Sequence, residues 1–255
     1  MSARRLALCA LEGLPLIAPG DDVAGLLAGA LRQMQIAPQD GDILVVAQKI
    51  VSKAEGRIVD LADVEPSARA CTLAREVGKD ARLVEVILRE STEVVRHKKD
   101  VLIVAHRLGF VMANAGVDQS NVGPDGRSRV LLLPCAPDAS AARIKARLDQ
   151  DFGVEVGVVI NDSFGRAWRN GVTGTAIGVA GVPALVDVRG QTDREGRVLR
   201  VTQIAAADEL AAAASLVMGQ ADEGCPAVLA RGFPYRSRES SAHELVRPHA
   251  EDLFR

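Results

Sequence analysis

The stretch that most restricts how this chain can fold is Val156-Gly157-Val158-Val159-Ile160-Asn161-Asp162-Ser163, an apolar run that stops on an amide, a carboxylate and a hydroxyl. Arg166 and Arg169 follow closely. The run reads as a strand ending at Asp162 and Ser163. Hard oxygen ligands held on a stiff strand end, with cationic groups behind them, suit a divalent metal and a phosphate or carboxylate substrate. The pattern points to an enzyme.

Around this run, helical and extended patterns alternate, which predicts a mixed α/β (α+β) fold. Asp21 or Asp22 can cap a helix from Val23 to about Met34, because a short carboxylate accepts from the free amides of a first turn. Ile43 to Ala47 reads as a buried strand after the turn at Pro38 to Gly41. Ser67 opens a helix, and a second after Gly78 carries Leu83, Val84, Ile87 and Leu88 on one face. Further strands are expected at Val101 to Ala105, Phe110 to Ala113, Val130 to Leu133 and Val154 to Ile160. Helices are expected over Asp138 to Leu148 and, rich in alanine, over Ala205 to Met218. The 255 residues suffice for one large domain or two small interlocked ones, and no repeat or linker divides them.

A net charge of -2 offers no general attraction for nucleic acid, and 3% aromatic residues leave little for base stacking. Small molecules are the expected partners. Arg4 and Arg5 precede an apolar stretch that Glu12 interrupts, so neither a signal peptide nor a membrane span is predicted, and the cytoplasm is the expected location. Cys9, Cys71, Cys135 and Cys225 are widely spaced and read as reduced thiols.

Other stretches carry unusual chemistry. Gly13-Leu14-Pro15-Leu16-Ile17 is an apolar turn whose plain reading is a strand lead-in. Gln48-Lys49-Ile50-Val51-Ser52-Lys53 follows directly on the Ile43 to Ala47 run. Lys49 and Lys53 could neutralise phosphate oxygens there, although for lysines taken alone a solvated pair at a strand end is the favoured explanation. Asn114 to Val122 is small and polar after a strand, consistent with a tight turn in which Asp118 and Asn121 bond the local backbone. Beside Asp162, however, Asp118 would make a two-carboxylate magnesium or manganese site. From Gly165 to Gly181 five glycines could let a ligand or another strand approach closely or could equally mark bulges and tight bends, and Arg166, Arg169 and Arg189 could bind an anion or simply face water. Neither GxxxxGK[ST] nor GxGxxG after a strand occurs, and no serine lies in GxSxG. The histidines lack zinc spacing.

Taken together, Glu12 to Ile17, Gly41 to Arg57, Asn114 to Val122, Asp162 to Gly181, Asp208 to Gly219 and Pro226 to Gly232 resemble, in order, the coenzyme F420-0:L-glutamate ligases, or F420 γ-glutamyl ligases. The resemblance implies a single ligase domain over residues 1–255, without the nitroreductase-like domain of some relatives. It implies a fold of two interlocked subdomains and an intertwined homodimer. The implied reaction is GTP-dependent addition of L-glutamate to coenzyme F420-0, then of further glutamate through the γ-carboxyl group, by way of an acyl phosphate. Carried over by position, Asp118 and Asp162 resemble ligands of one divalent ion, magnesium or manganese, and Ser163 and Gln220 ligands of a second. Potassium is a further implied ion. Leu14, Pro15, Leu16, Ile17, Gln48, Lys49, Lys53, Asn121, Met218, Gly219, Gln220, Ala221, Asp222, Glu223, Gly224 and Cys225 resemble GTP contacts, and Asp118, Asp162 and Lys53 the catalytic set. The rival readings are another metal-dependent enzyme, such as a phosphohydrolase or small-metabolite kinase, and a purely structural protein. The tail after Tyr235 reads as a loose end or a dimer clasp.

Overall fold

The computed structural model describes residues 5–119 and 129–253, so Asn121 lies outside the described residues. In chain order the elements are β1 (Ala7–Ala10), α1 (Val23–Gln33), β2 (Ile43–Ala47), α2 (Gln48–Ala54), β3 (Ile58–Asp60), α3 (Ala68–Val77), α4 (Ala81–Arg89), β4 (Ser91–Lys98), β5 (Val101–His106) and β6 (Val111–Ala113). They continue with β7 (Arg129–Leu131), α5 (Pro137–Phe152), β8 (Gly157–Arg166), β9 (Arg169–Ala180), β10 (Val186–Asp187), β11 (Gln203–Ile204), α6 (Ala206–Met218) and β12 (Ala227–Arg231).

Five strands form the main sheet in the order β1-β12-β2-β8-β9, with β2 and β8 parallel and the other neighbours antiparallel. Because side chains alternate along a strand, this sheet builds two cores. Leu44, Val46, Val158, Ile160 and Leu229 face one core with Leu27 and Leu31 of α1 and Ile144 and Leu148 of α5. Ile43, Val45, Val159 and Val228 face the other, under Leu210, Ala211 and Ala214 of α6. Burial on both faces is why β2 and the first half of β8 read as unbroken apolar runs.

A third core gathers Leu73 and Val77 of α3, Val84 and Ile87 of α4, Leu102 and Val104 of β5, and Val130 of β7. The sheets here are small, β4-β5-β6 and β3-β7. The helix boundaries follow local chemistry. Asp22 accepts from the Gly25 amide at 3.0 Å and starts α1. Ser67 accepts from the Ala70 amide at 3.2 Å and starts α3, which Gly78 ends in the left-handed region at φ 68°.

The structure corrects several sequence expectations. The strand through Asp162 and Ser163 does not end there but continues to Arg166, pairing with β9 as a long hairpin. Lys49 and Lys53 lie not at a strand end but on α2, one turn apart. The glycines of β9 admit helices rather than another strand. A Cβ on Gly174 would overlap Ser215 Oγ and the Ala211 carbonyl of α6, and one on Gly178 would overlap Pro137 of α5. Gly13 to Ile17 leads into α1, not into a strand. The tail beyond Tyr235 is tied down over part of its length, since Asp138 accepts from Ser241 Oγ at 2.7 Å and from the Ala242 amide at 3.1 Å. All four cysteines are free thiols.

Candidate active site

In the parallel register of β2 and β8, Ala47 lies opposite Asn161. At that point β2 gives way to α2, while β8 runs on along β9. The first turn of α2 therefore stands beside Asp162, where β2 ends and its parallel pairing with β8 stops, a place where open α/β sheets leave room for ligands. Gln48 is buried, accepts from Ser52 Oγ at 2.8 Å, and its carboxamide hydrogen-bonds the Asp162 carboxyl. Behind β8, the Asn161 carboxamide donates to Ser215 Oγ and accepts from the Thr175 amide, each at 3.0 Å. These bonds secure the strand to α6 and to β9.

Asp118 arrives from the other side. After β6 the chain makes a tight turn over Asn114–Gly116, with the Val117 amide donating to the Asn114 carbonyl at 2.9 Å. Asp118 then exchanges backbone hydrogen bonds with Leu131, at 3.0 and 2.8 Å. Its carboxylate meets Lys49 Nζ at 2.6 Å. A short β-bridge and an ion pair thus bring the 114–118 segment to α2.

Electrostatically the three groups form one centre. Loss of water pushes the half-buried Asp162 carboxyl up to about 6, and the nearby charge of Asp118 adds to the rise. Against this work the Ser163 amide, the Lys49 ammonium and the Gln48 carboxamide. The Lys53 ammonium is held below the ordinary lysine range by burial first and by the charge of Lys49 second. Two carboxylates sense each other, and two lysines sense each other, across one helix turn.

The other expected residues are less closely gathered. Ser163 follows Asp162 on β8 and is half-buried. The 218–225 segment begins near the centre, because Met218 Sδ lies 3.6 Å from Asn161 Nδ2. Beyond it Gly219 bends at φ 74°, Gln220, Ala221, Asp222, Glu223 and Gly224 are exposed or partly so, and Cys225 Sγ donates to the Glu223 carbonyl. Glu223 folds back to accept from the Ala221 amide at 2.8 Å. Gln220 makes no hydrogen bond to Ser163 among the described residues. Of Leu14 to Ile17, Ile17 is buried and Leu14 packs against the core, whereas Leu16 is exposed. Arg189 is taken up by Asp187, while Arg166 and Arg169 are exposed at the β8-β9 turn. Asn161 was not singled out from sequence; a buried amide within an apolar run was the available signal.

Among the described residues no group of three or more histidine, cysteine, aspartate or glutamate side chains could hold a metal. The donor set at this centre is therefore two carboxylates with a neighbouring hydroxyl. That set suits an ion of the magnesium type, which takes one or two carboxylates and fills its remaining positions with water and substrate phosphates. The raised Asp162 carboxyl fits as well, since a like-charged pair lacking water gains most from an added cation. Concavities of about 760 Å³ between α3 and β4, and about 310 Å³ beside Phe233 and Tyr235, lie elsewhere and include neither aspartate.

A mixed α/β scaffold thus sets Asp118, Asp162, Lys49 and Lys53 together where the parallel pairing of β2 and β8 stops. Comparison with known proteins gives the family. The profile of the F420-0:Gamma-glutamyl ligase family matches residues 13–232, and the chain belongs to this family. The chain is 48% identical over 252 residues to the coenzyme F420:L-glutamate ligase of Methanothermobacter thermautotrophicus, covering 98% of this chain and 99% of the relative. It is 47% identical to the enzyme of that name from Methanopyrus kandleri, covering 96% and 97%. It is 42% identical to the one from Methanocaldococcus jannaschii, covering 99% and 98%. No helix among the described residues is long and apolar enough to cross a membrane.

Proposed function

We propose that this protein is a GTP-dependent ligase that joins the amino group of L-glutamate to the lactyl carboxylate of coenzyme F420-0, and then adds glutamate to the γ-carboxyl group of the first. The observation that carries this reading is the meeting of Lys49, Asp118 and Asp162 where the parallel pairing of β2 and β8 stops, within a chain of the F420-0:Gamma-glutamyl ligase family.

A carboxylate is a poor acyl donor until it is activated. In the proposed sequence its oxygen attacks the γ-phosphorus of GTP, giving an acyl phosphate and GDP. The glutamate amine then attacks the acyl carbon, loses a proton and expels phosphate. Phosphoryl transfer asks mainly for positioning and neutralisation of charge. Lys49 and Lys53, on one face of α2, would neutralise phosphate oxygens, with Gln48, Asn121, the 14–17 segment and the 218–225 loop holding the rest of the nucleotide. Asp118 and Asp162 would hold one magnesium or manganese ion, and Ser163 with Gln220 a second; bound there, such ions draw charge from the phosphates as the terminal phosphoryl group leaves. Potassium binding, an intertwined homodimer with interlocked subdomains, and a cytoplasmic location complete the reading.

Incubation of the purified protein with F420-0, L-glutamate, GTP and manganese, followed by mass spectrometry of the cofactor, tests it. Glutamate-sized increments, with GDP and phosphate released, are expected. An unchanged cofactor mass would overturn the ligase reading, and GTP loss without such increments would make the protein a phosphohydrolase.

A further inference from the structure

Asn114 combines two features that a folded chain does not keep without reason. Its carboxamide oxygen is buried and has no hydrogen-bond partner among the described residues. A buried acceptor left unpaired forfeits its bonds to water without replacement, which destabilises the fold. Asn114 also sits in the left-handed region at φ 54°, followed by Ala115 at φ 54° and Gly116 at φ 66°. Glycine enters that region freely and asparagine tolerates it, but alanine does not, because its Cβ crowds the carbonyl.

The turn has little room to relax. Ala115 is fully buried, and a Cβ on Gly116 would press into the Leu133 side chain. Packing therefore holds both the strained backbone and the orphan oxygen in place. Asp118 follows at once, with its backbone bridged to Leu131 and its carboxylate on Lys49. Strain and unsatisfied polar atoms gather where a ligand will later satisfy them. Here both stand within four residues of a carboxylate of the proposed cation centre.

We propose that the Asn114 carboxamide oxygen is a further oxygen ligand of that centre, binding the divalent cation directly or accepting from one of its bound waters, and so positions Asp118. This inference rests on the assignment of Asp118 and Asp162 to one cation. It explains the orphan oxygen as an acceptor satisfied only in the loaded protein. It also explains the strained turn, which a cation held through Asn114 and Asp118 would span.

The test measures manganese binding to the purified protein by electron paramagnetic resonance, without nucleotide, together with the unfolding temperature of the metal-free form. Asn114→Gly keeps the left-handed backbone and removes the orphan acceptor. It is expected to weaken manganese binding about tenfold while leaving the metal-free unfolding temperature unchanged or higher. Asn114→Asp, of the same shape, should restore or tighten binding relative to Asn114→Gly. If Asn114→Gly binds manganese as wild type does, the inference is overturned, whether or not the variant is less stable. Asp162→Asn serves as the control. Loss of binding in Asp162→Asn but not in Asn114→Gly would defeat this inference alone, whereas wild-type protein that binds no manganese would defeat both it and the cation centre. A misfolded Asn114→Gly leaves the decision to Asn114→Asp, which must then bind more tightly than wild type.

Discussion

Glu90 and Asp162 are both carboxylates withdrawn from water, and their surroundings move them in opposite directions. Burial by itself would raise Glu90. The nearby His106 ring, hydrogen bonds from Arg107 and Arg57 and the charges of these two arginines outweigh it and bring the group down to about 2. The contacts are close, with Arg57 Nη2 at 2.8 Å, Arg107 Nε at 3.1 Å and His106 Nε2 at 3.5 Å. His106 Nδ1 accepts from the Leu108 amide at 2.9 Å, which leaves the imidazole proton on Nε2, facing Glu90. Asp162, in contrast, has one lysine and one like-charged neighbour and stands near 6. Glu90 is compensated by two arginines, and Asp162 is only partly compensated by Lys49. Burial alone distinguishes neither; the count of fixed cations around each group does.

Exchanging each carboxylate for its amide should separate the two most sharply. Asp162→Asn is expected to lower glutamate incorporation by about 10³-fold, the scale of losing several kcal/mol of charge stabilisation. Its metal-free unfolding temperature should stay level or rise, since a desolvated like charge has gone. Glu90→Gln should do the reverse, costing about 3 kcal/mol of stability by stranding Arg57 and Arg107, with activity per folded molecule retained. Equal loss of activity in both variants would erase the contrast.

The same pair predicts opposite dependences on pH. The folded value of Asp162 lies above the usual carboxylate value of about 4. Its contribution to stability is therefore complete below about pH 4 and is lost as pH rises through about 6. Glu90 is depressed, so its contribution is present above the ordinary glutamate range and is lost as pH falls toward about 2. Denaturant titrations of the metal-free protein from pH 3 to 7 should show the upper slope vanish in Asp162→Asn and the lower slope shrink in Glu90→Gln.

Gly174→Ala disturbs the frame of the site without touching its charges. Gly174 pairs with Ser163, and the added methyl would overlap Ser215 and the Ala211 carbonyl. A loss of roughly 1 to 3 kcal/mol, measured by denaturation, is expected. Lys49→Met is the finest probe. It removes a charge that lowers Asp162, so the acid limb of the rate profile should move up by about one unit. An unmoved limb would mean that Lys49 does not act on Asp162.

Much of the fold could be read locally. The caps at Asp22 and Ser67, the break at Gly78 and the apolar runs of β2 and β8 are all written in neighbouring residues, and each lies where the sequence puts it. The strands β1, β3, β4, β9, β10, β11 and β12 are not evident in the sequence, because their composition becomes strand only once partners lie alongside. Asp118 and Asp162 could be singled out as oxygen donors, but the ion pair of Asp118 with Lys49 joins residues far apart in the chain. Sequence by itself determined most of the helices, the buried apolar strands and which side chains carry charge, since propensity, capping and periodicity act over a few residues. Only the tertiary structure decided that β8 continues past Ser163, that the β9 glycines seat helices, and that Glu90 and Asp162 part company, because pairing, close approach and electric field depend on distances in space.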